Sequence, residues 1–167
     1  MRTQAILVIA LLVSAGCEQV LGIEDPGGGG PQINCTGSLQ DNFEPNDSVS
    51  AAYQTDVAAK TTHSLLQPLA ICPGTDKDVF TVDIIATGQA LDVTVMYGFG
   101  LAPLQAVLLN PDGTPIANSG PEGMDVETIH ATNLPAGMVF VQVSNTPAGG
   151  PNQGTNTYSL DLLVRGP

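Results

Sequence analysis

The chain has 167 residues, so one folded domain is the default and a second real core has little room. Only 12% of residues are charged, Trp is absent, and Gly (19) and Pro (13) are frequent, a mix that suits short strands joined by tight turns and suits long helices poorly. The formal net charge is −12, and beyond residue 16 only Lys60, Lys77 and Arg165 are basic, which argues against nucleic acid and anionic lipid head groups as partners, because both need Lys/Arg patches.

Met1-Arg2-Thr3-Gln4 is a short basic segment and Ala5 to Ala15 is apolar, the pattern of a secretory signal. The apolar run is about half of the ~20 residues that a membrane-spanning helix needs. It leads into Leu12-Val13-Ser14-Ala15-Gly16-Cys17. Small residues just before a cysteine resemble the lipobox of bacterial lipoproteins, with Ser14 standing where that family usually has leucine. The resemblance implies a signal peptide over residues 1–16 and an acylated Cys17 as the first mature residue. Residues 17–34 then read as a tether, since Asp25-Pro26-Gly27-Gly28-Gly29-Gly30-Pro31 has nothing to bury and ample backbone freedom. The folded domain is expected over residues 35–167, in the bacterial cell envelope, facing the periplasm or the cell surface.

With Cys17 taken by lipid, Cys35 and Cys72 are left for each other in an oxidising compartment. Such a bridge closes a loop of about 38 residues, for which the chain-entropy model gives roughly 4 kcal/mol. A metal or redox pair is the alternative, but no Cys-x-x-Cys is present and only His63 and His130 could assist.

From about Asn42 onward the chain reads as strands and turns. In Val79 to Ile85, Phe80, Val82 and Ile84 point one way while Thr81 and Asp83 point the other. Leu91, Val93, Val95 and Tyr97 share a face in the next strand. Leu104 to Leu109 is almost wholly apolar and suits a central strand. Asn110-Pro111-Asp112-Gly113 is a strong turn signal, followed by a return strand over Thr114 to Asn118. Val126 to Thr132, Val139 to Ser144 and Thr157 to Val164 continue the pattern. A short helix or irregular turn has room only within Ser48 to Lys60, and residues 149–154 read as a flexible loop before the last strand. The expectation is an all-β, antiparallel, jelly-roll-like β-sandwich of about seven or eight strands.

The stretch that carries chemistry is Asp41-Asn42-Phe43-Glu44-Pro45-Asn46-Asp47-Ser48. Asn42, Glu44, Asn46 and Asp47 crowd four oxygen-bearing side chains together, and Pro45 biases Glu44 toward an extended backbone. Hard cations such as Ca²⁺ take about six to eight oxygens, so a second donor stretch is needed. Asp76 and Asp78 supply it. They extend the even-numbered row of Phe80, Val82 and Ile84, so alternation points them toward the core at the strand's rim, while Lys77 falls on the other face. A carboxylate so placed needs a hydrogen-bond partner or a metal. The same residues also suit turn capping through backbone amides.

Glu44-Pro45-Asn46-Asp47-Ser48 followed by Asp76-Lys77-Asp78-Val79-Phe80 resembles the bacterial pre-peptidase C-terminal domain, which is related to the collagen-binding domains of clostridial collagenases. The Asn110 to Gly113 turn, Leu134-Pro135-Ala136-Gly137 leading into Met138 to Val143, and Thr157-Tyr158-Ser159-Leu160 fit the same pattern in order, over roughly Asp41 to Val164. The resemblance implies a jelly-roll-like sandwich with no catalysis of its own and a structural Ca²⁺ held by Glu44, Asn46, Asp47 and Asp78. Asn42 sits where relatives often have an acid, and Thr75 replaces an acidic position seen in some relatives, with Asp76 next to it.

The expected function is therefore that of a non-catalytic envelope lipoprotein, held at the membrane by its lipid. It would act as a binding or structural module for an extracellular protein or polysaccharide. The alternative is an accessory or targeting subunit for a separate secreted hydrolase or surface assembly. An enzyme is disfavoured: Asn118-Ser119-Gly120 lacks the glycine spacing of a nucleophile elbow, and no aromatic platform supports carbohydrate chemistry.

Overall fold

The computed structural model describes residues 41–57, 62–72, 76–98, 103–121, 125–146 and 155–167. The signal segment, Cys17, the Gly/Pro tether, Cys35, Thr75 and the expected 149–154 loop lie outside the described residues. No helix among the described residues is long and apolar enough to cross a membrane.

The fold is all-β. Its strands are β1 (Tyr53–Gln54), β2 (His63–Ile71), β3 (Lys77–Ile84), β4 (Gln89–Tyr97), β5 (Leu104–Leu109), β6 (Pro115–Asn118), β7 (Gly120–Pro121), β8 (Val126–Leu134), β9 (Gly137–Asn145) and β10 (Asn156–Arg165). They form two sheets of five strands, in the orders β1-β3-β9-β5-β6 and β2-β10-β4-β8-β7. Every pairing is antiparallel except the two-residue parallel match of β1 to β3. The short helix allowed within Ser48 to Lys60 is a single 3-10 turn, Val49–Ala51.

Alternation explains how the sheets stack. Phe80, Val82 and Ile84 of β3 face inward with Leu104, Ala106 and Leu108 of β5 and Val139, Val141 and Val143 of β9. The other sheet answers with Leu91, Val93 and Val95 of β4, Ile129 and Ala131 of β8, and Tyr158, Leu160, Leu162 and Val164 of β10, all in one core. The outer face of the first sheet is partly covered as well. Val79, Leu109 and Phe140 form a second buried cluster, roofed by Val49 of the 3-10 turn and Ala52 just after it. β5 is thus apolar on both faces because both are covered.

Periodicity does not announce β2, nor the two-residue strands β1 and β7. The register of β2 on β10 slips between the Tyr158–Leu69 and Leu160–Leu66 pairs, so Gln67 and Pro68 both stand opposite Ser159. This bulge changes which parity faces inward. Leu66 packs against the core before it, and Leu69 and Ile71 after it. Pro68 cannot donate a ladder hydrogen bond, which is tolerated because β2 is an edge strand.

The β5–β6 hairpin closes as its turn residues require. Gly113 adopts φ 82°, its N–H donates to the Asn110 carbonyl at 2.9 Å, and the Asn110 N–H donates to the Thr114 carbonyl at 2.8 Å. Asp112 accepts from the Thr114 N–H at 3.0 Å and from its hydroxyl at 2.6 Å, which holds the Asp112 carboxyl below its ordinary range.

Candidate functional site: an acidic corner

The segment from Asp41 to Ser48 has no regular structure of its own and is docked by side chains and one backbone contact. Phe43 stacks edge-on against Tyr53 with centroids 4.6 Å apart, and lies 6.3 Å from Phe80 of β3. The Asn46 carbonyl accepts the Val79 N–H at 2.9 Å, pinning the loop beside the start of β3. Glu44 Oε2 accepts the Asn46 N–H at 3.2 Å. The Glu44–Pro45 peptide is cis.

This docking brings both expected donor stretches together. One carboxylate oxygen each from Glu44, Asp76 and Asp78 lie within 4.8 Å of one another. Asp78 is fully buried and continues the inward row of Phe80, Val82 and Ile84, as alternation requires. Asp76 lies just before β3, its Oδ2 accepting the Cys72 N–H at 2.9 Å and its Oδ1 the Lys77 N–H at 2.8 Å. Asp47 is exposed, and its carboxylate adds to the upward push on Asp76. Lys77 is exposed on the other face.

Asn46 is fully buried. The end of its amide facing the cluster lies 3.2 Å from Glu44 Oε2 and 3.2 Å from Asp78 Oδ1. With the nitrogen turned inward it donates to both carboxylates. That orientation satisfies both ends of the amide; with the oxygen turned inward instead, the amide would offer an oxygen 3.2 Å from each of the two carboxylate oxygens, a spacing that neighbouring ligands of an ion bound at about 2.3–2.6 Å can adopt.

The electrostatics are those of acids taken from water without a counter-charge. Burial pushes the Asp78 carboxyl up to about 8, against the lowering hydrogen bond from Tyr158, and the charges of Asp41, Asp76 and Glu44 add to the rise. Asp76 is pushed up to about 7, first by burial, with the Cys72 N–H opposing and Asp47 and Glu44 reinforcing. Glu44 is raised too, mainly by burial. The Tyr158 hydroxyl donates to Asp78 Oδ2, and burial beside that carboxylate raises its own pKa well above the ordinary value. Ion pairs join His63 to Asp161 and Asp92 to both His130 and Arg165, and none of these reaches the corner.

Of the residues singled out from sequence, Glu44, Asn46, Asp76 and Asp78 converge and Asp47 borders them, while Asn42 is exposed on the preceding turn. Two residues of the corner were not among them. Tyr158 reads from sequence as a core residue, which it is, with its hydroxyl committed to Asp78. Asp41 accepts the Phe43 N–H at 2.9 Å and the Ala70 N–H of β2 at 3.0 Å. An Asp two positions before an aromatic anchor is a turn signal that could have marked the first of these bonds; the second is invisible without β2.

Ser119 lies where the chain passes between sheets. Its hydroxyl donates to Glu127 Oε2 at 2.6 Å and accepts the Ala106 N–H at 2.9 Å. An open groove of about 660 Å³ lies over the start of β10, beside the β2 bulge, with Gln67, Pro68, Met96, Thr157 and Ser159 on its walls.

No family model matches the chain. No curated protein matches it either. Among solved structures it is similar to PliG of Aeromonas hydrophila, a periplasmic lysozyme inhibitor of g-type lysozyme (TM-score 0.49, 17% identity, over 67% of this chain and 94% of that one). It is also similar to the pre-peptidase C-terminal domain of collagenase from Bacillus anthracis (TM-score 0.43, 17% identity, 62% and 89% covered). PliG of Salmonella Typhimurium gives a TM-score of 0.42 at 14% identity, with 67% and 96% covered. Likenesses at this level assign neither a ligand nor a role.

Proposed function

We propose that the protein is a non-catalytic binding or structural module of the bacterial envelope, lipid-anchored through Cys17 and stabilised by Ca²⁺ in the acidic corner. The observation that carries the cation reading is the convergence of one carboxylate oxygen each from Glu44, Asp76 and Asp78 within 4.8 Å of one another, with Asp78 fully buried, in a cluster to which no basic side chain among the described residues is paired. Glu44, Asn46, Asp76 and Asp78 would hold the ion, with Asp47 and Asn42 at the solvent side. All are oxygen donors, and a mixture of carboxylate and amide suits Ca²⁺. The ion would neutralise carboxylates that burial and mutual repulsion otherwise drive to take up protons.

A non-catalytic role is supported by how the obvious catalytic side chains are engaged. The Ser119 hydroxyl is tied at a sheet-crossing corner. His63 and His130 are exposed and paired to Asp161 and Asp92 on the outer face of the second sheet. A protein or polysaccharide ligand would find uncharged hydrogen-bonding side chains in the groove over β10, on a chain whose net charge is otherwise −12. The proposed Cys35–Cys72 bridge would tether the chain just before the corner to the exit of β2, where the Cys72 sulfur already lies 3.1 Å from the Thr155 hydroxyl.

The test of the cation reading is thermal unfolding of the purified full chain in detergent, in EDTA and in millimolar Ca²⁺. We expect Tm to rise with Ca²⁺ and to respond less to Mg²⁺, which demands a tighter octahedral shell. An unchanged Tm, together with no metal by elemental analysis, overturns it. The anchor is tested by fractionation: Cys17→Ala should leave the membrane fraction, and continued membrane association would refute lipidation there.

A further inference from the structure

The loop that carries Glu44 and Asn46 must be held at a fixed distance from Asp76 and Asp78 if the four side chains are to share one ion. Two of its ties run to β3, through the Asn46 carbonyl and the Phe43 ring. A third runs to the other sheet. Asp41 uses one carboxylate oxygen to accept the Phe43 N–H within the loop, at 2.9 Å, and the other to accept the Ala70 N–H of β2, at 3.0 Å. Two residues beyond Ala70, the Cys72 N–H donates to Asp76 Oδ2 at 2.9 Å. One short length of β2 therefore orients both halves of the corner: through Asp41 it holds the loop, and through Cys72 it holds Asp76.

We infer that Asp41 is a positioning residue of the cation site, clamping the ligand loop to β2 and so setting the spacing between Glu44 and Asn46 on one side and Asp76 and Asp78 on the other. It does not touch the ion. Its charge fits this role: without a cation it adds to the repulsion felt by Glu44 and Asp78, and with one it adds attraction. A residue whose only task was to close the turn would do so without that charge, since Asn accepts the same kind of bond. This inference rests on the cation reading above and adds a residue to it.

Ca²⁺ titration calorimetry on the full chain in detergent, for wild type, Asp41→Ala and Asp41→Asn, tests it, with melting temperatures taken in EDTA and in Ca²⁺. Asp41→Ala should weaken Ca²⁺ binding by about tenfold or more, the scale of one lost charge-assisted hydrogen bond, and should shrink the Ca²⁺-induced rise in Tm. Asp41→Asn keeps a single acceptor and should fall between, and it carries the test alone if the alanine variant does not fold. A residue that only supported the fold would lower Tm equally in EDTA and in Ca²⁺ and leave affinity unchanged. Affinities within about twofold of wild type in every variant that folds, about 0.4 kcal/mol, overturn the inference. A wild type that does not bind Ca²⁺ overturns the cation reading itself, so the two failures are distinct.

Discussion

Asp78 stands in a row of core side chains, with Phe80, Val82 and Ile84 following it into the sandwich. A carboxylate there is costly when charged, and the Tyr158 hydroxyl offsets only part of that cost. The pKa values of Asp76 and Asp78 are raised in the folded chain, to about 7 and about 8, so the native state binds more protons than the unfolded one between the ordinary carboxylate range and pH 8. Folding stability without metal must then fall as pH rises through that window. In EDTA, Tm should be higher near pH 5 than near pH 8, and Ca²⁺ should restore much of the loss at pH 8. A Tm in EDTA that stays flat or climbs over this range would contradict the burial of these acids. The acids were legible in the sequence because alternation alone points Asp78 inward. Tyr158 and Asp41 were not legible as partners, since their bonds span 80 and 29 residues.

Strands with clean alternation were readable directly, and the β5–β6 hairpin was readable from its turn. Gly113 has open space where a Cβ would stand, so its requirement is purely one of backbone conformation. Gly113→Ala should cost about 1–2 kcal/mol in urea unfolding, the penalty of a left-handed residue bearing a Cβ. Gly120→Ala, which also meets open space but has no positive φ, should cost less, and equal losses would show that φ is not the cause. β2 was unreadable for a physical reason. The Gln67–Pro68 bulge breaks its period in the middle, leaving Leu65 exposed and Leu66 turned to the core. A run of Leu-Leu-Gln-Pro-Leu carries neither a period of two nor one of 3.6.

At the scale of the whole molecule, only β5–β6 and β7–β8 pair with their immediate successors in the chain, while β2 closes against β10 and β3 against β9. The class of fold was therefore legible from strand content and turn spacing, but the order of strands was not, because nearly every connection passes from one sheet to the other. That order leaves β2 as one rim of the second sheet. At the Cys72 end of this rim the outward positions are already blunted: Ala70 gives its N–H to Asp41, Cys72 gives its N–H to Asp76, and Pro68 has none to give. An open rim is a template on which another chain can add a strand, and carboxylates, proline and a bulge are the means by which sandwiches blunt it. The acidic corner would thus also keep a neighbouring molecule from adding a strand at this end of the rim.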